Sequence, residues 1–457
     1  MKKPVKSSLP RKTLIIFLGL LFAGQSFLFG EREMNYDPYL SALKYPEAGQ
    51  VGAARDRDRN LLFLRILEQP VRPAGYSLGK TAEWIERKRV DDKVVWFFDE
   101  LSSHGIYPKT KGPTEGGFGV MGVEGRVELE KLFQIEQPYV TAQVFGGWTP
   151  NKGYEGTTVD FGGRYKIETP AHAVFHEGLV RYGRSSSESF YGIGQDTSLG
   201  EHSTYQPEEL KFDAALGYPL MQAVESRASF VYQRMNIGNG NREHVGKIKE
   251  HFPIASIPGI NGGDLIGLIA SLVRDTRDSK TDTKRGGEEA FQFSYLHDTD
   301  GNDFHYLKVG ASARHFFPIQ SDRRILALRL VAEKNQELGG GEIPFFNMSR
   351  LGGSDFSDGS ELLRSYRYNR FFDEGMLSAN VEYRYNIYEY GKFSGDAVAL
   401  FDVGEVFGEL GDFGIEELKF SYGGGLNIKF RRRTLLSIVV AHGSEKLKIA
   451  AHTKASF

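Results

Sequence analysis

Arg350-Leu-Gly-Gly-Ser-Asp-Phe-Ser-Asp-Gly-Ser-Glu-Leu-Leu-Arg-Ser-Tyr-Arg-Tyr-Asn-Arg-Phe371, with Ala379-Asn-Val-Glu-Tyr-Arg-Tyr-Asn-Ile387 and Asp396-Ala-Val-Ala-Leu-Phe-Asp-Val-Gly404 after it, decides how the chain is read. The first piece is a long polar loop. The other two alternate strongly, and successive side chains of a strand point to opposite faces. One face of each is therefore apolar and aromatic. The opposite face carries Asn380, Glu382, Arg384 and Asn386 in one segment, and Asp396 and Asp402 in the other. A strand on a soluble core hides its apolar face and wets its polar one. Here Arg364 in the loop is matched in charge by Glu382 and Asp402 on the polar face, which points to pairing rather than casual exposure. The expected arrangement is inverted: the apolar face meets lipid, and the loop folds back onto the polar face inside a barrel.

Composition agrees with that inversion. The 457 residues include 54 Gly, 22 Tyr, 33 Phe and no Cys, and the mean hydropathy is −0.37. A helical membrane protein needs several apolar runs of about 20 residues, and none follows the N-terminus. Segments of about ten alternating residues, aromatic girdles and low mean hydropathy mark a transmembrane β-barrel. The lack of Cys removes disulfides, thiolate metal sites and thiol nucleophiles. A net charge of −2 gives no support for a nucleic-acid partner.

Residues 1–30 read as a signal peptide, with Lys2, Lys3, Lys6, Arg11 and Lys12 ahead of the apolar run Leu14–Ala23. Export together with a barrel pattern places the protein in a bacterial outer membrane. Residues 31–103 form a short periplasmic segment, partly helical, with Leu78, Ala82, Ile85, Val94, Phe97, Phe98 and Leu101 near one face after a capping Ser77.

The barrel occupies 104–457. Its candidate strands are 104–113, 117–133, 137–148, 156–168, 171–183, 208–220, 225–238 and 266–277 in the first half. In the second half they are 287–298, 304–319, 323–334, 375–388, 395–408, 418–430, 433–443 and 446–457. The fold class is thus an all-β transmembrane barrel of about sixteen antiparallel strands, an even number as bacterial single-chain barrels have. Short connections such as 168–170, 218–221, 317–320, 388–392 and 431–433 alternate with long ones at 185–207, 239–265 and 335–374, as periplasmic turns alternate with extracellular loops. In the last segment Leu447, Ile449, Ala451, Thr453, Ala455 and Phe457 share one face, opposite Lys446, Lys448, His452 and Lys454. An aromatic terminal residue on the lipid face, Phe457, resembles the C-terminal targeting signal of outer-membrane proteins.

No catalytic constellation emerges. The sequence has no Gly-x-Ser-x-Gly elbow and no Cys nucleophile. His176-Glu177 lacks a second His at the spacing of a zinc protease and falls in a strand pattern. Gly192 and Gly194 lie in a loop rather than between a strand and a helix, so they make no phosphate cradle. The expectation is a non-enzymatic protein without metal or cofactor.

At these residues the sequence resembles the BamA/TamA-type surface-antigen superfamily of sixteen-stranded outer-membrane assembly barrels. Arg364-Ser365-Tyr366, following Gly352-Gly353, is similar to the Arg-Gly-Tyr or Arg-Gly-Phe tip of that superfamily's sixth extracellular loop. Asn380-Val-Glu-Tyr-Arg384 and Phe401-Asp-Val-Gly404 are similar to the two motifs that follow it. Phe190-Tyr-Gly-Ile-Gly-Gln-Asp-Thr197 and Val273-Arg-Asp-Thr-Arg-Asp278 resemble a loop and a mid-barrel periplasmic turn of the same group. The resemblance implies a loop held in the lumen by Arg364, with Glu382 and Asp402 as acceptors. Ser365 departs from the tip Gly, and because Gly adopts positive φ more readily, a looser tip is expected. Residues 31–103 are too few for a tandem of the POTRA modules that bind clients and accessory subunits in the family.

The implied role is membrane biogenesis: inserting or exporting a polypeptide, or maintaining envelope lipid balance. Its partners are outer-membrane lipids and a client polypeptide or periplasmic subunit. Strand 104–113 would meet strand 446–457 as a lateral seam. The alternative is a passive pore or an adhesin-like surface barrel, in which the loop merely constricts a channel.

Overall fold

The computed structural model describes residues 106–110, 121–129, 140–150, 157–169, 174–353 and 362–452. The expected signal peptide, the segment 31–103 and the terminal Phe457 lie outside the described residues. Alternation of apolar and polar side chains builds sixteen successive strands. They are β1 Ile106–Thr110, β2 Met121–Glu128, β3 Val140–Pro150, β4 Thr157–Thr169, β5 Val174–Ser185, β6 Ser203–Met221, β7 Val224–Asn239 and β8 Gly262–Asp275. The second half comprises β9 Gly286–Asp298, β10 His305–Ile319, β11 Ser321–Glu337, β12 Gly375–Tyr390, β13 Phe393–Phe407, β14 Lys419–Phe430, β15 Arg433–Gly443 and β16 Leu447–His452.

Each strand pairs antiparallel with the one before it. Two short strands, Glu188–Phe190 and Gly246–Lys247, add to the margin of β6 in the same sheet. Among the described residues no ladder joins β1 to β16, so these two end the pairing order. No helix among the described residues is long and apolar enough to cross a membrane, and crossing by strands does not need one. Every candidate segment corresponds to one strand. At β6 the strand begins five residues before the expected position 208. Pro207 is tolerated there because the β5 ladder stops at Glu208 and the short strand pairs only with 203–205. The missing N–H therefore has no ladder partner on that side.

The sheet is inverted relative to a soluble core. Leu268 is 61% exposed and Tyr422 55%, whereas Glu382 and Asp402 are buried to 1% and 0%. Inward side chains pair across neighbouring strands, including Arg181 with Asp160, Arg227 with Asp213 and Arg314 with Glu288. Segments from both ends reach the inner face. The turn 276–285 between β8 and β9 reaches Lys429 on β14, and the connection between β11 and β12 reaches Lys448 on β16.

Many connections show the expected contrast in length, while 276–285 at the turn end and 299–304 and 444–446 at the loop end depart from it. The turn end has 170–173, 222–223, 391–392 and 431–432, and the loop end has 186–202, 240–261, 338–374 and 408–418. The connection 338–374 is the sixth at the loop end, hereafter loop 6. Over that end lies an aromatic cluster in which Phe190 makes edge contacts with Phe252, Phe345 and Phe372 at ring-centroid distances of 5.1–5.3 Å. Tyr205, Tyr306 and Ile343 are buried in the same cluster.

Candidate functional site

Loop 6 turns inward because its two limbs clip together at the neck. Ser349–Leu351 pairs antiparallel with Phe371–Asp373. The N–H groups of Leu362 and Leu363 both donate to the carbonyl of Gly352, at 3.3 and 2.9 Å. A side chain at Gly352 would lie 2.4 Å from the carbonyl oxygen of Arg367, which explains why glycine stands where the limbs meet. Leu351, Leu363, Tyr366 and Phe371 pack with Val331, Met376 and Val406 of the wall, so the tip enters the lumen on an apolar footing.

At the tip the strand register sets the charges. Asn380 on β12 stands opposite Asp402 on β13, and Glu382 lies two residues further along the same inward face. Arg364 donates from Nε to the Asp402 carboxylate oxygens at 3.2 and 3.0 Å, and from Nη2 to Oδ1 at 2.5 Å. Its backbone N–H also donates to Asp402 Oδ2, at 3.0 Å. Nη1 donates to Glu382 Oε1. A planar guanidinium with five N–H donors suits two carboxylates in this way, and a lysine ammonium does not.

The surrounding groups complete the network. Arg384 donates to Glu382 Oε2 at 2.8 Å, so that carboxylate is shared between two arginines. Asn380 donates to Asp402 Oδ1 and to the carbonyl of Leu362, at 2.8 and 2.9 Å, and accepts from Arg329 Nε at 3.0 Å. With side-chain exposures of 1% or less for Arg364, Glu382 and Asp402, these bonds replace hydration almost entirely. Buried charges persist when paired and fully hydrogen-bonded.

Ser365 differs from expectation. It is not among the residues with positive φ; in this segment that conformation falls on Asn369, at 51°. Ser365 is 1% exposed, and its backbone N–H and hydroxyl both meet Ser421 Oγ, at 3.0 and 2.6 Å. The room for its side chain comes from the wall: Gly443 pairs with Ser421, and a Cβ at Gly443 would lie 2.2 Å from Ser365 Oγ. The space a tip glycine would leave is thus supplied by a strand glycine. Tyr366 donates to or accepts from Ser444 Oγ at 2.8 Å, and its carbonyl accepts from Lys448 Nζ at 2.9 Å.

The structure brings Arg364, Glu382 and Asp402 together and sets Ser365 and Tyr366 against β14 and the β15–β16 end. Sequence reasoning singled out the stretch Phe190–Thr197 but did not bring it, or Arg367 and Arg370, to the site they complete. Arg370 pairs with Glu445 at 2.5 Å and donates to Thr197 Oγ1 at 2.7 Å. Arg367 donates to the Tyr191 hydroxyl at 3.1 Å. Gly194 N–H donates to the carbonyl of Phe372, and the Gln195 amide bridges the N–H of Val406 and the carbonyl of Glu417. The stretch Phe190–Thr197 therefore clamps the exit of loop 6. Its glycines and aromatics were visible in the sequence, but its partner lies about 175 residues away, as the Arg367–Tyr191 separation of 176 shows.

Comparison with known proteins fits this architecture. BamA from Haemophilus ducreyi lacking POTRA domains 1–3 superposes with a TM-score of 0.52 at 14% identity, over 76% of this chain and 69% of that one. CdiB from Escherichia coli gives 0.48 at 11% identity, over 76% of this chain and 62% of that one. The first is a likeness of fold. No curated protein matches the sequence. The Omp85 superfamily domain matches residues 154–430, from the approach to β4 through the end of β14, a span that holds loop 6, Glu382 and Asp402. With more than half its length so matched, the chain belongs to the Omp85 superfamily.

Proposed function

We propose that the protein is a bacterial outer-membrane barrel that acts in membrane biogenesis, inserting or exporting a polypeptide or maintaining envelope lipid balance, without catalytic chemistry. The observation that carries this reading is the buried grip of Arg364 on Asp402 and Glu382, which holds the tip of loop 6 against the inward face of β12 and β13. In this reading Arg364, Ser365 and Tyr366 anchor the loop, and Phe457 serves as the targeting signal. Residues 1–30 direct export, and residues 31–103 face the periplasm, where a client or subunit would meet them. The membrane lipids contact the apolar outer face. The contrast between the apolar-poor segment 104–113 and the lysine-lined 446–457, which no ladder joins among the described residues, supports a seam between the end strands. In this reading the seam opens and disturbs the lipid beside it.

The chain has no Cys, so disulfides can be placed in β1 and β16 without background. Oxidised variants should lose the ability to support envelope integrity in a strain lacking the native protein, and reductant should restore it. Full function with the two strands crosslinked excludes the seam as the working element.

A further inference from the structure

Charge on the outward face of β8 is confined to its two ends. The outward residues run Asp264, Ile266, Leu268, Ala270, Leu272 and Arg274, an apolar stripe bounded by one charge at the loop end and one at the turn end. The ten steps from Asp264 to Arg274, at about 3.3 Å each and a strand tilt of about 40°, rise about 25 Å, the height of a barrel's apolar band. Arg274 therefore stands at headgroup level. Directly opposite it on β9 is Glu289, and on β10 His315 stands opposite Gly287. A Cβ at Gly287 would lie 2.5 Å from the His315 ring, so the imidazole occupies the place of the missing side chain and reaches Glu289 on the same face. His315 Nε2 lies 2.5 Å from Glu289 Oε1, and Arg274 Nη1 donates to both carboxylate oxygens at 3.3 Å. Phe317 stacks on His315, with ring centroids 5.8 Å apart. Glu289 is thereby 0% exposed on a face that otherwise meets lipid, while the Arg274 side chain remains 37% exposed. Arg274 Nε and Nη2 make no hydrogen bond among the described residues.

We propose that Arg274, Glu289 and His315 form a docking site for the phosphate of an anionic phospholipid in the leaflet at the turn end. A guanidinium pinned through Nη1 to a buried carboxylate still offers its Nε–Nη2 edge, and that edge matches two oxygens of a phosphate. Glu289 and His315 act as positioning residues: they fix the guanidinium against the wall and touch no lipid atom through the buried carboxylate. The acyl chains lie along the stripe Ile266–Leu272 and beside Phe317, whose ring is 47% exposed on the same face. Height and apolar flank together favour a lipid phosphate over a free anion, because a free anion gains nothing from the stripe. The site rests on the membrane-spanning reading given above and is independent of the seam.

The test begins by floating the purified full chain with phosphatidylcholine vesicles. Delipidated protein in detergent is then titrated with phosphatidylglycerol and followed by native mass spectrometry, with diacylglycerol of the same chains and inorganic phosphate as parallel titrants. One phosphatidylglycerol adduct should saturate ahead of the rest, at least fivefold tighter than diacylglycerol, and inorganic phosphate should give none at the same concentration. Arg274→Gln should weaken that adduct at least fivefold. Arg274→Lys keeps the charge but not the two-pronged edge; it should weaken the adduct about threefold, and serves if the first variant misfolds. Arg285→Gln removes an exposed cation at the same end, one paired with Asp322 outside the group, and should leave the adduct within twofold. Unchanged affinity in whichever Arg274 variant folds overturns the site, as does an equal loss in Arg285→Gln. Inorganic phosphate bound as tightly as the lipid overturns the lipid assignment. A chain that fails to float overturns the membrane reading itself, whereas one that floats but takes up no preferred adduct overturns the site alone.

Discussion

Arg364 is the residue whose loss should be felt most. Truncation to alanine keeps the backbone N–H bond to Asp402 but removes every guanidinium bond, leaving that carboxylate buried with Asn380. Glu382 fares better because Arg384 still holds it. Removing one partner of a buried, hydrogen-bonded ion pair costs about 3–5 kcal/mol. Arg364→Ala should therefore destabilise the barrel by about that amount in urea unfolding, and Arg364→Lys by less, since a point charge reaches one carboxylate but not both. A difference below about 0.5 kcal/mol for Arg364→Ala would mean that the pair contributes no net stability. The charges were legible in the sequence because alternation assigns each residue a face, and a charge on the inward face needs a partner. The fit of Ser365 to Ser421 and Gly443 was not. It depends on two strands meeting a loop tip, and neither glycine nor serine carries a periodic signal.

At the scale of elements, strands were read far more fully than connections. Most of the strands alternate apolar residues on the outward face with polar ones on the inward face, a signal repeated along the strand. Loops have no such repeat, so the docking of Phe190–Thr197 on loop 6 and the path of the turn 276–285 appear only in three dimensions. That turn stiffens itself, with Asp278 Oδ1 accepting from the N–H groups of Lys284 and Arg285 at 2.9 and 3.2 Å. It is then pinned across the turn end by Lys429, which bonds Asp282 at 2.5 Å and also pairs with Asp396. Lys429→Met removes the shared cation and leaves two carboxylates facing each other. Trypsin should then cut at Lys280, Lys284 or Arg285 about tenfold faster, corresponding to a loss of about 1.4 kcal/mol in local protection. An unchanged digestion rate would show that the turn is held by its own hydrogen bonds alone.

Considered as a whole, the molecule is a wall of strands paired in sequence order with material held inside it from both ends. Loop 6 occupies the lumen from the loop end through Arg364, and the turn 276–285 reaches across from the turn end to Lys429. A water-filled pore would need an open polar channel, yet the inward charges here are consumed in bonds to these two segments and to one another. The purified protein in planar bilayers should accordingly show small or intermittent conductance. Arg364→Ala should raise it by freeing the loop, and combining it with Lys429→Met should raise it further, because the two restraints lie at opposite ends of the same passage. The order of the two effects matters: if the lumen is blocked twice, the Lys429 variant alone changes conductance little while loop 6 stays in place. A large, steady conductance in the unaltered protein, indifferent to Arg364→Ala, would identify a passive pore and remove the case for a plugged barrel that works at its wall.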